Sequence, residues 1–508
     1  MSDRIMGTKE SGPSWSLLAG RPVWGAFIGG AFVVPDGAET FAVAEAATGR
    51  TMAAVVAADD ELVDRAVRDA RRAYDETWRH LSPRERGSLM RAVAARIREH
   101  ADELGELVAR EMGKPMRDAL RVDVVSCHTS FDYYAGIAET VHGEVLDQGP
   151  VEARITYEPY GVVAAILPFN WPPIHFSKKA APALAVGNTV VIKPGEQAPL
   201  TVLRLVEIAN EVLPPGVINA VGGVAAGAAL VAHPRVERVT FTGATATGRK
   251  VMAGAAANLT YVTLELGGKN ALLVLEDAEL DDAVAIAIEG MFYNQGEACT
   301  STSRILVHQS RYEAFAAAFV EATARLVIGD PLDPSTDIGP LVDARQRDRV
   351  LSYVERGLAE GATMLFCADL PAGLDPDGYY VAPVVFGDVT SSMSIAQDEI
   401  FGPVACLLAF GDDDEAVAIA NDSAYGLTAA ICTADEARAS ALAARLEVGM
   451  VFVNNYTRRT FIGSPFGGVK ASGYGREYAP ETMLEFVRAK NVRFPSGRGV
   501  IPGWPPRA

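Results

Sequence analysis

Cys299 lies in the segment "NQGEACTSTSR" (294–304), where small and polar side chains separate two apolar stretches. By itself, a cysteine in such a place is more often a buried, unreactive side chain than a nucleophile. A reactive thiolate also needs a base and a hydrogen-bond donor that stabilises an oxyanion. The role of Cys299 therefore depends on whether other segments of the chain supply these groups.

Three polar residues that carry such groups follow apolar, β-branched segments. Asn170 comes just after "VVAAIL", Lys193 ends "NTVVIK", and Glu265 lies near the end of "YVTLEL". Each has an ordinary explanation: an asparagine in a turn often bonds its own backbone, and a lysine is usually solvated. A carboxylate at the end of an apolar strand is costlier to leave without a role or a partner. Together they predict one site, because ligands bind at the carboxyl ends of strands in an open parallel sheet.

The surrounding pattern predicts the sheet that carries these residues. Short β-branched segments alternate with helical segments around 173–185, 198–212 and 222–232, which is typical of parallel strands covered by helices. A second alternating series begins after about residue 267. The predicted fold class is α/β, with a Rossmann-like nucleotide-binding domain and a second α/β catalytic domain.

The segment "FTGATATG" (241–248) opens one of these helices directly after a strand. It is neither a Walker loop, which would continue with Lys and Ser/Thr, nor a G-x-G-x-x-G sequence. Small residues at the start of a helix still leave backbone N–H groups open to a phosphate. We predict that this loop receives the phosphates of a nucleotide.

Composition excludes several classes of function. Lys and Arg total 46 against 64 Asp and Glu, so the formal charge of −18 argues against nucleic acid or an anionic membrane as a partner. The five cysteines form no C-x-x-C pair and the seven histidines no ligand spacing, so we predict neither disulfides nor a metal site. The chain shows neither a signal-peptide pattern nor an apolar run long enough to span a membrane, and we expect a cytoplasmic protein.

A thiol, a carboxylate and a side-chain amide beside a nucleotide fold suit the oxidation of an aldehyde. The Cys299 thiolate would attack the carbonyl carbon, and Asn170 with the backbone N–H of Cys299 would stabilise the oxyanion. Hydride transfer to a nicotinamide would leave a thioester, which water activated by Glu265 would hydrolyse. This chemistry requires no metal.

Seven motifs together resemble the aldehyde dehydrogenase superfamily, NAD(P)-dependent and of the hydrolytic type. The resemblance runs from about residue 25 to 495, with the motifs in the family's order. They are "PFNWPP", "KPGEQAP", "FTGATATG", "LELGGKN", "NQGEACTSTSR", "EIFGPV" and "SPFGGVKASGYGRE".

The resemblance implies roles for particular residues. Cys299 would be the nucleophile, Glu265 the general base and Asn170 the oxyanion donor, with Lys179 and Glu477 near a secondary proton route. The cofactor would be NAD, with NADP as an alternative. The implied cofactor-binding residues are Ile166, Pro168, Lys193, Glu196, Gly243, Ala244, Gly248, Leu266, Gly267, Glu399 and Phe401. A carboxylate at position 196 would accept hydrogen bonds from both ribose hydroxyls and repel a 2′-phosphate, which favours NAD.

The resemblance also implies a division of the chain. Residues 60–139 are predicted to be helical and 142–161 to form a hairpin. The hairpin and a strand at 486–494 would form a small β oligomerisation element, which implies a homodimer or a homotetramer. The predicted parts are an N-terminal tail (1–20), the NAD-binding domain (21–141 and 162–267), the catalytic domain (268–480), the oligomerisation element (142–161 and 486–494) and a C-terminal tail (495–508).

Two positions depart from the family's usual pattern. Ala244 replaces a frequent serine and removes a hydroxyl from the phosphate side of the loop. Glu297 stands where many members have glutamine, two residues before Cys299. A carboxylate pointing at the thiol would raise the thiol pKa, so we expect Glu297 to face solvent or the cofactor channel.

The substrate is the least determined feature of the sequence. Aromatic residues predicted to line an access tunnel favour an aromatic or medium aliphatic aldehyde: Trp171, Phe292, Tyr456, Phe461 and Phe466. Arg458 and Arg459 could bind an anionic semialdehyde, so a semialdehyde dehydrogenase is an alternative. A CoA-acylating enzyme and a catalytically silent homologue are further alternatives, and the presence of Glu265 with Cys299 and Asn170 argues against both. A Cys–His hydrolase using Cys127 and His128 fails, because neighbouring residues of a helix do not face each other.

Overall fold

The computed structural model describes residues 23–457, 461–501 and 503. The region predicted to be helical contains four helices of ten or more residues: Asp60–Glu76, Pro83–Glu99, Ala101–Met112 and Val125–Ile137. The sequence Ser-Pro-Arg-Glu at 82–85 has the signature of a capping box, and the second helix begins there. Ser82 Oγ accepts the N–H of Glu85, and the Glu85 carboxylate accepts the N–H of Ser82 at 2.7 Å.

An eight-stranded sheet confirms the first alternating series. Its central strands are parallel, and shorter antiparallel strands extend both edges. In spatial order the strands are Gly473–Tyr474, Tyr261–Glu265, Arg238–Thr242, Val162–Ile166, Thr189–Lys193, Ile218–Ala220, Ala26–Ile28 and Ala31–Val33. The sequence missed the three-residue strand Ile218–Ala220, which is too short to show a pattern.

Helices cover both faces of this sheet, which explains why its strands are apolar on both sides. The helices between and after its strands are Pro172–Ala185, Leu200–Asn210, Val224–Ala232 and Thr245–Ala255. The helix Pro172–Ala185 is buried along its whole length, with all of its residues in the core. Polar side chains on this helix therefore lie inside the protein and must find partners there.

A seven-stranded sheet confirms the second series. Its strands are parallel except at one edge, where Thr363–Cys367 runs antiparallel to its neighbour. In spatial order they are Thr363–Cys367, Val384–Gly387, Val404–Phe410, Arg304–His308, Ala271–Val274, Thr428–Cys432 and Met450–Val453. The longer helices around it are Leu280–Phe292, Tyr312–Ala324, Ala344–Ala359, Asp413–Asn421 and Glu436–Ala443.

A separate three-stranded antiparallel sheet contains the predicted hairpin and the predicted late strand. Its order is Val487–Pro495, Val151–Pro159 and Glu144–Gln148. The strand Glu144–Gln148 is exposed along its whole length and forms an edge. The sheet shows apolar side chains to solvent, Val145 at 64% and Phe494 at 40% of their full exposure.

The last part of the chain returns to the first sheet. The strand Gly473–Tyr474 pairs with Tyr261–Glu265, so that Gly473 lies opposite Glu265. It thus joins residues of the predicted catalytic range to the predicted NAD-binding sheet, and the division into domains stays a prediction. In the described ranges, no helix is both long and apolar enough to cross a membrane.

Candidate active site

A cavity of about 380 Å³ contains both Cys299 and Glu265. Glu265 reaches it as the last residue of the strand Tyr261–Glu265 in the first sheet. Cys299 lies between the helix Leu280–Phe292 and the strand Arg304–His308, which belong to the second series. The cavity therefore lies where the two α/β parts of the chain meet.

A left-handed turn presents Cys299 to this cavity. Asn294, Gln295 and Gly296 have φ angles of 57°, 56° and 74°, a backbone conformation that residues other than glycine rarely adopt. Buried hydrogen bonds hold it: the Asn294 amide donates to the Asn170 carbonyl at 3.2 Å, and the Gln295 amide to the Pro340 carbonyl at 3.2 Å. The strain is compensated by contacts that fix the backbone three to five residues before the cysteine.

The side chain of Asn170 is oriented by bonds at both ends of its amide. Its nitrogen donates to the carbonyl of Glu297 at 3.0 Å, and its oxygen accepts from His175 Nε2 at 3.2 Å. Burial, together with the nearby lysine charges, holds the pKa of His175 well below its ordinary value, so the imidazole is neutral. Since an amide nitrogen carries two hydrogens, Asn170 keeps a second N–H beside the segment that carries Cys299.

Glu265 is buried, with 2% of its surface exposed. Among the described residues, neither of its carboxyl oxygens has a hydrogen-bond partner. One of these oxygens lies against Gly467, where a Cβ atom would come within 2.7 Å of it. Burial, and then the charge of Glu477, raise the pKa of Glu265 well above its ordinary value, against the opposing effect of Lys178 and Lys179.

Beside Glu265 lies a buried cluster of two lysines and one carboxylate. Lys178 Nζ is 2.6 Å from one oxygen of Glu477, and Lys179 Nζ donates to the other at 2.8 Å and to Thr240 at 3.0 Å. All three charged residues are at most 3% exposed. We call these three residues the lysine pair cluster.

Glu297 does not face solvent or the cofactor channel, and that expectation is wrong. Its side chain is fully buried, and one carboxyl oxygen accepts the N–H of Val342 at 3.2 Å. Burial raises the pKa of Glu297 well above its ordinary value, more than the Val342 N–H lowers it. What Glu297 gives to the site is its backbone carbonyl, which the amides of Asn170 and Asn294 share.

The predicted cofactor residues lie along the ends of neighbouring strands. Ile166 pairs directly with Lys193, and Pro168 begins the following turn. Lys193 forms an ion pair with Glu196, three residues further on. Burial lowers the pKa of the Lys193 ammonium, while Glu196 opposes this effect.

The glycine-spaced loop follows the strand Arg238–Thr242 and begins an eleven-residue helix. Ala244 is exposed at the N-cap, and its side chain makes no capping bond to the helix. Gly248 packs against Leu266, because a Cβ at that position would lie 2.5 Å from the leucine side chain. The loop thus lies close to the strand that carries Glu265.

Glu399 approaches the same region from the second part of the chain. Its carboxylate accepts the N–H of Gly268 at 3.0 Å and lies so close to Gly267 that a Cβ there would be 2.3 Å away. Burial raises the pKa of Glu399 to about 7, against the effect of the Gly268 N–H. Phe401, with a φ of 65°, packs edge-on against Phe169, with ring centroids 5.8 Å apart.

Four of the predicted substrate residues line the cavity with Cys299: Trp171, Tyr456, Phe461 and Phe466. The Tyr456 hydroxyl bonds Thr428 at 2.8 Å and the carbonyl of Thr300. Phe292 does not line this cavity, which corrects that expectation: it stacks on Phe319 in the core of the second part. Arg458 and Arg459 lie outside the described residues.

The chain matches the sequence model of the Aldehyde dehydrogenase family over residues 32–492. It belongs to the aldehyde dehydrogenase family. The predicted family, the α/β fold class and the enzyme class are confirmed by this membership and by similar solved structures.

Similar family members come from fungi and bacteria. The aldehyde dehydrogenase citD of Monascus ruber is 46% identical over 92% of this chain and 94% of its own. A betaine aldehyde dehydrogenase of Sinorhizobium fredii is 39% identical over 96% of this chain and all of its own.

Solved aldehyde dehydrogenases share the fold at high similarity. The betaine aldehyde dehydrogenase of Staphylococcus aureus in complex with NAD+ is 33% identical, with a TM-score of 0.92 over 96% of this chain and 98% of its own. PnpE in complex with nicotinamide adenine dinucleotide is 39% identical, with a TM-score of 0.91 over 94% of this chain and 99% of its own. The predicted nicotinamide cofactor is thereby confirmed at the level of the family.

Sequence reasoning missed several residues around the aldehyde dehydrogenase cavity, among them His175, Lys178 and Tyr478. A signal for the first two was present. His175 and Lys178 follow Trp171 at intervals of four and seven residues, which places all three on one face of a helix. No comparable pattern pointed to Tyr478, which lies in an irregular segment.

Proposed function

We propose that this chain oxidises an aldehyde to a carboxylate with NAD, by acyl transfer through Cys299 and hydrolysis. One observation carries the proposal: a single cavity holds the Cys299 thiol and the buried Glu265 carboxyl. A thiol alone would support many chemistries. A thiol beside a carboxyl group of raised pKa is suited to forming a thioester and then hydrolysing it.

In the first half of the reaction the Cys299 thiolate attacks the carbonyl carbon, and a C–S bond forms while the carbonyl oxygen becomes an oxyanion. The second N–H of Asn170 donates to that oxygen, and His175 and Glu297 hold the amide in place. The nicotinamide, when bound, accepts the hydride that leaves the carbonyl carbon. Cys299 then carries the acyl group as a thioester.

In the second half Glu265 removes a proton from water, and the resulting hydroxide attacks the thioester carbonyl. The C–S bond breaks, the carboxylic acid leaves, and Cys299 returns as a thiolate. The base must be ionised for this step, so its raised pKa makes hydrolysis faster as pH rises. Lys179 and Glu477, joined at 2.8 Å, would form the secondary route for the proton away from Glu265.

Lys193 and Glu196 suit the adenosine ribose, and the loop from Gly243 to Gly248 suits the phosphates. Ala244 leaves the first turn of the following helix without a side-chain cap, so its N–H groups are open to an anion. Leu266, Gly267, Glu399 and Phe401 would border the nicotinamide end. Because the carboxylate of Glu196 disfavours a 2′-phosphate, we expect NAD to be preferred, and a kcat/KM at least as high with NADP would overturn this.

An aromatic or medium aliphatic aldehyde is the favoured substrate, because six Trp, Tyr and Phe side chains line the cavity. The relatives from Sinorhizobium fredii and Staphylococcus aureus are named for betaine aldehyde, whereas a semialdehyde would be bound through Arg458 and Arg459. The position of Glu265 beside Cys299 favours hydrolysis over transfer to CoA. Acyl-CoA as the main product would reverse that preference.

NADH formation across aromatic, aliphatic and carboxylated aldehydes tests the proposal. We expect Cys299→Ala to form no NADH, and Glu265→Gln to give one rapid turnover followed by slow release of acid. Cys367→Ala, which removes an exposed thiol outside the cavity, is the matched control and should behave as the wild type. Full activity of Cys299→Ala, or no burst in Glu265→Gln, would contradict the mechanism.

The three-stranded sheet is the expected contact between copies of the chain, in a homodimer or homotetramer. Its support is the exposed edge strand Glu144–Gln148 and the apolar side chains of Val145 and Phe494. Light scattering of the purified protein measures the mass, and Val145→Lys should lower it. A monomeric wild type would contradict this expectation, and a cytoplasmic location stays a prediction from the sequence.

A further inference from the structure

Lys178 is a charged residue that the mechanism does not require and that nevertheless faces the cavity. Its ammonium lies 3.6 Å from the centre of the Phe466 ring and 5.2 Å from that of Tyr478. It is 3% exposed, and it lines the same cavity as Cys299 and Glu265. A buried ammonium is costly unless it has partners, so its position needs an explanation.

The lysine pair cluster is not neutral. Two ammonium groups share the one carboxylate of Glu477, which leaves one net positive charge as long as the neighbouring Glu265 carboxyl is in its neutral form. Lys179 turns inward to Thr240, whereas Lys178 borders the cavity, so the excess charge is presented there by Lys178. Among the described residues that line the cavity, Lys178 is the only lysine or arginine.

The rest of the wall is mainly aromatic and apolar. Among the described residues that line it, Glu265 is the only acid, and its raised pKa favours the neutral form of its carboxyl group. Trp171, Phe452, Tyr456 and Phe466 supply flat surfaces on which a planar substrate can pack. Trp171 is itself fixed, because the Lys114 ammonium lies 3.5 Å from the centre of its ring and Tyr293 stacks on it at 5.8 Å. A flat cavity with one cation at its wall matches a flat molecule that carries an electron-rich oxygen.

We infer that Lys178 is a specificity-determining residue: it selects aromatic aldehydes that carry a hydroxyl or phenolate oxygen, and it rejects aldehydes that carry a fixed positive charge. The inference rests on the proposed function and adds its substrate class. A hydrogen bond from an ammonium to a hydroxyl or phenolate oxygen stabilises the complex. A trimethylammonium group instead meets a like charge at a place from which the bound aldehyde has displaced water.

A pair of substrates of equal shape isolates the charge. In 4-tert-butylbenzaldehyde and 4-(trimethylammonio)benzaldehyde, a neutral group and a cationic group occupy the same volume. We expect the wild type to prefer the neutral member by about a hundredfold in kcat/KM, as like charges in a low-dielectric site require. We expect 4-hydroxybenzaldehyde to exceed benzaldehyde by about tenfold, the value of one charge-assisted hydrogen bond.

Lys178→Met removes the charge and keeps the length of the side chain, and Lys178→Arg keeps the charge. Both preferences should fall to within about threefold in Lys178→Met and persist in Lys178→Arg. Ratios between substrates are the readout, because any change in the Glu265 pKa acts on both members of a pair. Equal use of the two shape-matched aldehydes by the wild type, or unchanged ratios in Lys178→Met, would overturn the inference.

Binding to Cys299→Ala separates this inference from the proposed function. Calorimetry with the same aldehydes should show the neutral and hydroxylated compounds binding more tightly than the cationic one. If the compounds bind with this selectivity but the wild type forms no NADH, the proposed reaction is wrong and the role of Lys178 in selecting the ligand still holds. If Lys178→Met does not fold, Glu477→Gln serves instead: it adds positive charge to the cluster, so the ratio against the cationic aldehyde should increase, and a decrease would overturn the inference.

Discussion

Two buried lysine–carboxylate groups contact aromatic residues of the cavity wall, and they differ in the ratio of their charges. In the first, Lys114 donates to both oxygens of Asp123 at 2.8 Å, and both residues are fully buried. In the second, the lysine pair cluster, two ammonium groups share the single carboxylate of Glu477. The first group has one ammonium for one carboxylate, and we call it the closed pair; the second has an ammonium in excess, which borders the cavity.

The pKa values of the two carboxylates show what this difference does. Burial raises the pKa of Asp123 to about 6, although Lys114 opposes it. Burial acts on Glu477 in the same direction, but Lys178 and Lys179 together lower its pKa below the ordinary value. One neighbouring ammonium does not offset the effect of burial on the pKa of a carboxylate, whereas two ammonium groups do. The closed pair therefore serves to position Trp171. The lysine pair cluster has an excess ammonium group that can interact with a ligand in the cavity.

The largest effect is expected from breaking the closed pair. Asp123→Asn leaves the Lys114 ammonium buried against a neutral amide, which should lower the free energy of unfolding by about 3–5 kcal/mol. A urea titration measures this change. The double variant Lys114→Met with Asp123→Leu removes both charges and should lose clearly less stability. Equal losses in the single and the double variant would show that packing, and not charge, dominates at this pair.

A smaller loss is expected from the same change in the lysine pair cluster. Glu477→Gln leaves two ammonium groups together, but Lys178 borders the cavity, where water can solvate it. We expect the free energy of unfolding to fall by about 1–3 kcal/mol, less than in Asp123→Asn. Glu477→Asp keeps the negative charge and should therefore lose less free energy of unfolding than Glu477→Gln. A larger loss than in Asp123→Asn would contradict the distinction between a closed and an open group.

The cluster should also set the pH dependence of hydrolysis. Lys179 lowers the pKa of Glu265, so Lys179→Met should raise that pKa further and move the rise in thioester hydrolysis to higher pH by about one unit. Stopped-flow measurement of the step after the NADH burst, from pH 6 to 10, follows this shift. Lys490→Met, in the three-stranded sheet, is the control. A shift to lower pH in Lys179→Met would mean that Glu265 is not the base.

The smallest effect is expected at Glu297, which lies near the closed pair. Its backbone carbonyl, and not its carboxylate, holds Asn170. Glu297→Gln should therefore change kcat/KM by less than about threefold, roughly 0.6 kcal/mol in the barrier. Asn170→Ala removes the hydrogen-bond donor itself and should lower kcat/KM by a factor of about 10²–10³. A loss of that size in Glu297→Gln would show that its carboxyl group takes part in the reaction.

Much of the architecture was predictable because it depends on local patterns. The alternation of β-branched and helical segments predicted both parallel sheets, and the capping box at Ser82 marked the start of a helix to the residue. The same alternation put Asn170, Lys193 and Glu265 after strands, so their convergence at one edge of a sheet followed from parallel topology. Exceptions were elements without a pattern, such as the strand Ile218–Ala220.

The sequence by itself determined the family, the two α/β parts and the set of residues that chemistry requires, because residue type and spacing carry that information. Only the tertiary structure decided which charges are buried and with whom. Glu477 meets Lys178 and Lys179 from almost three hundred residues away, and Glu297 is enclosed by Val342 instead of facing water. Burial and electrostatic balance depend on neighbours that are distant in sequence, so they emerge only when the chain is folded.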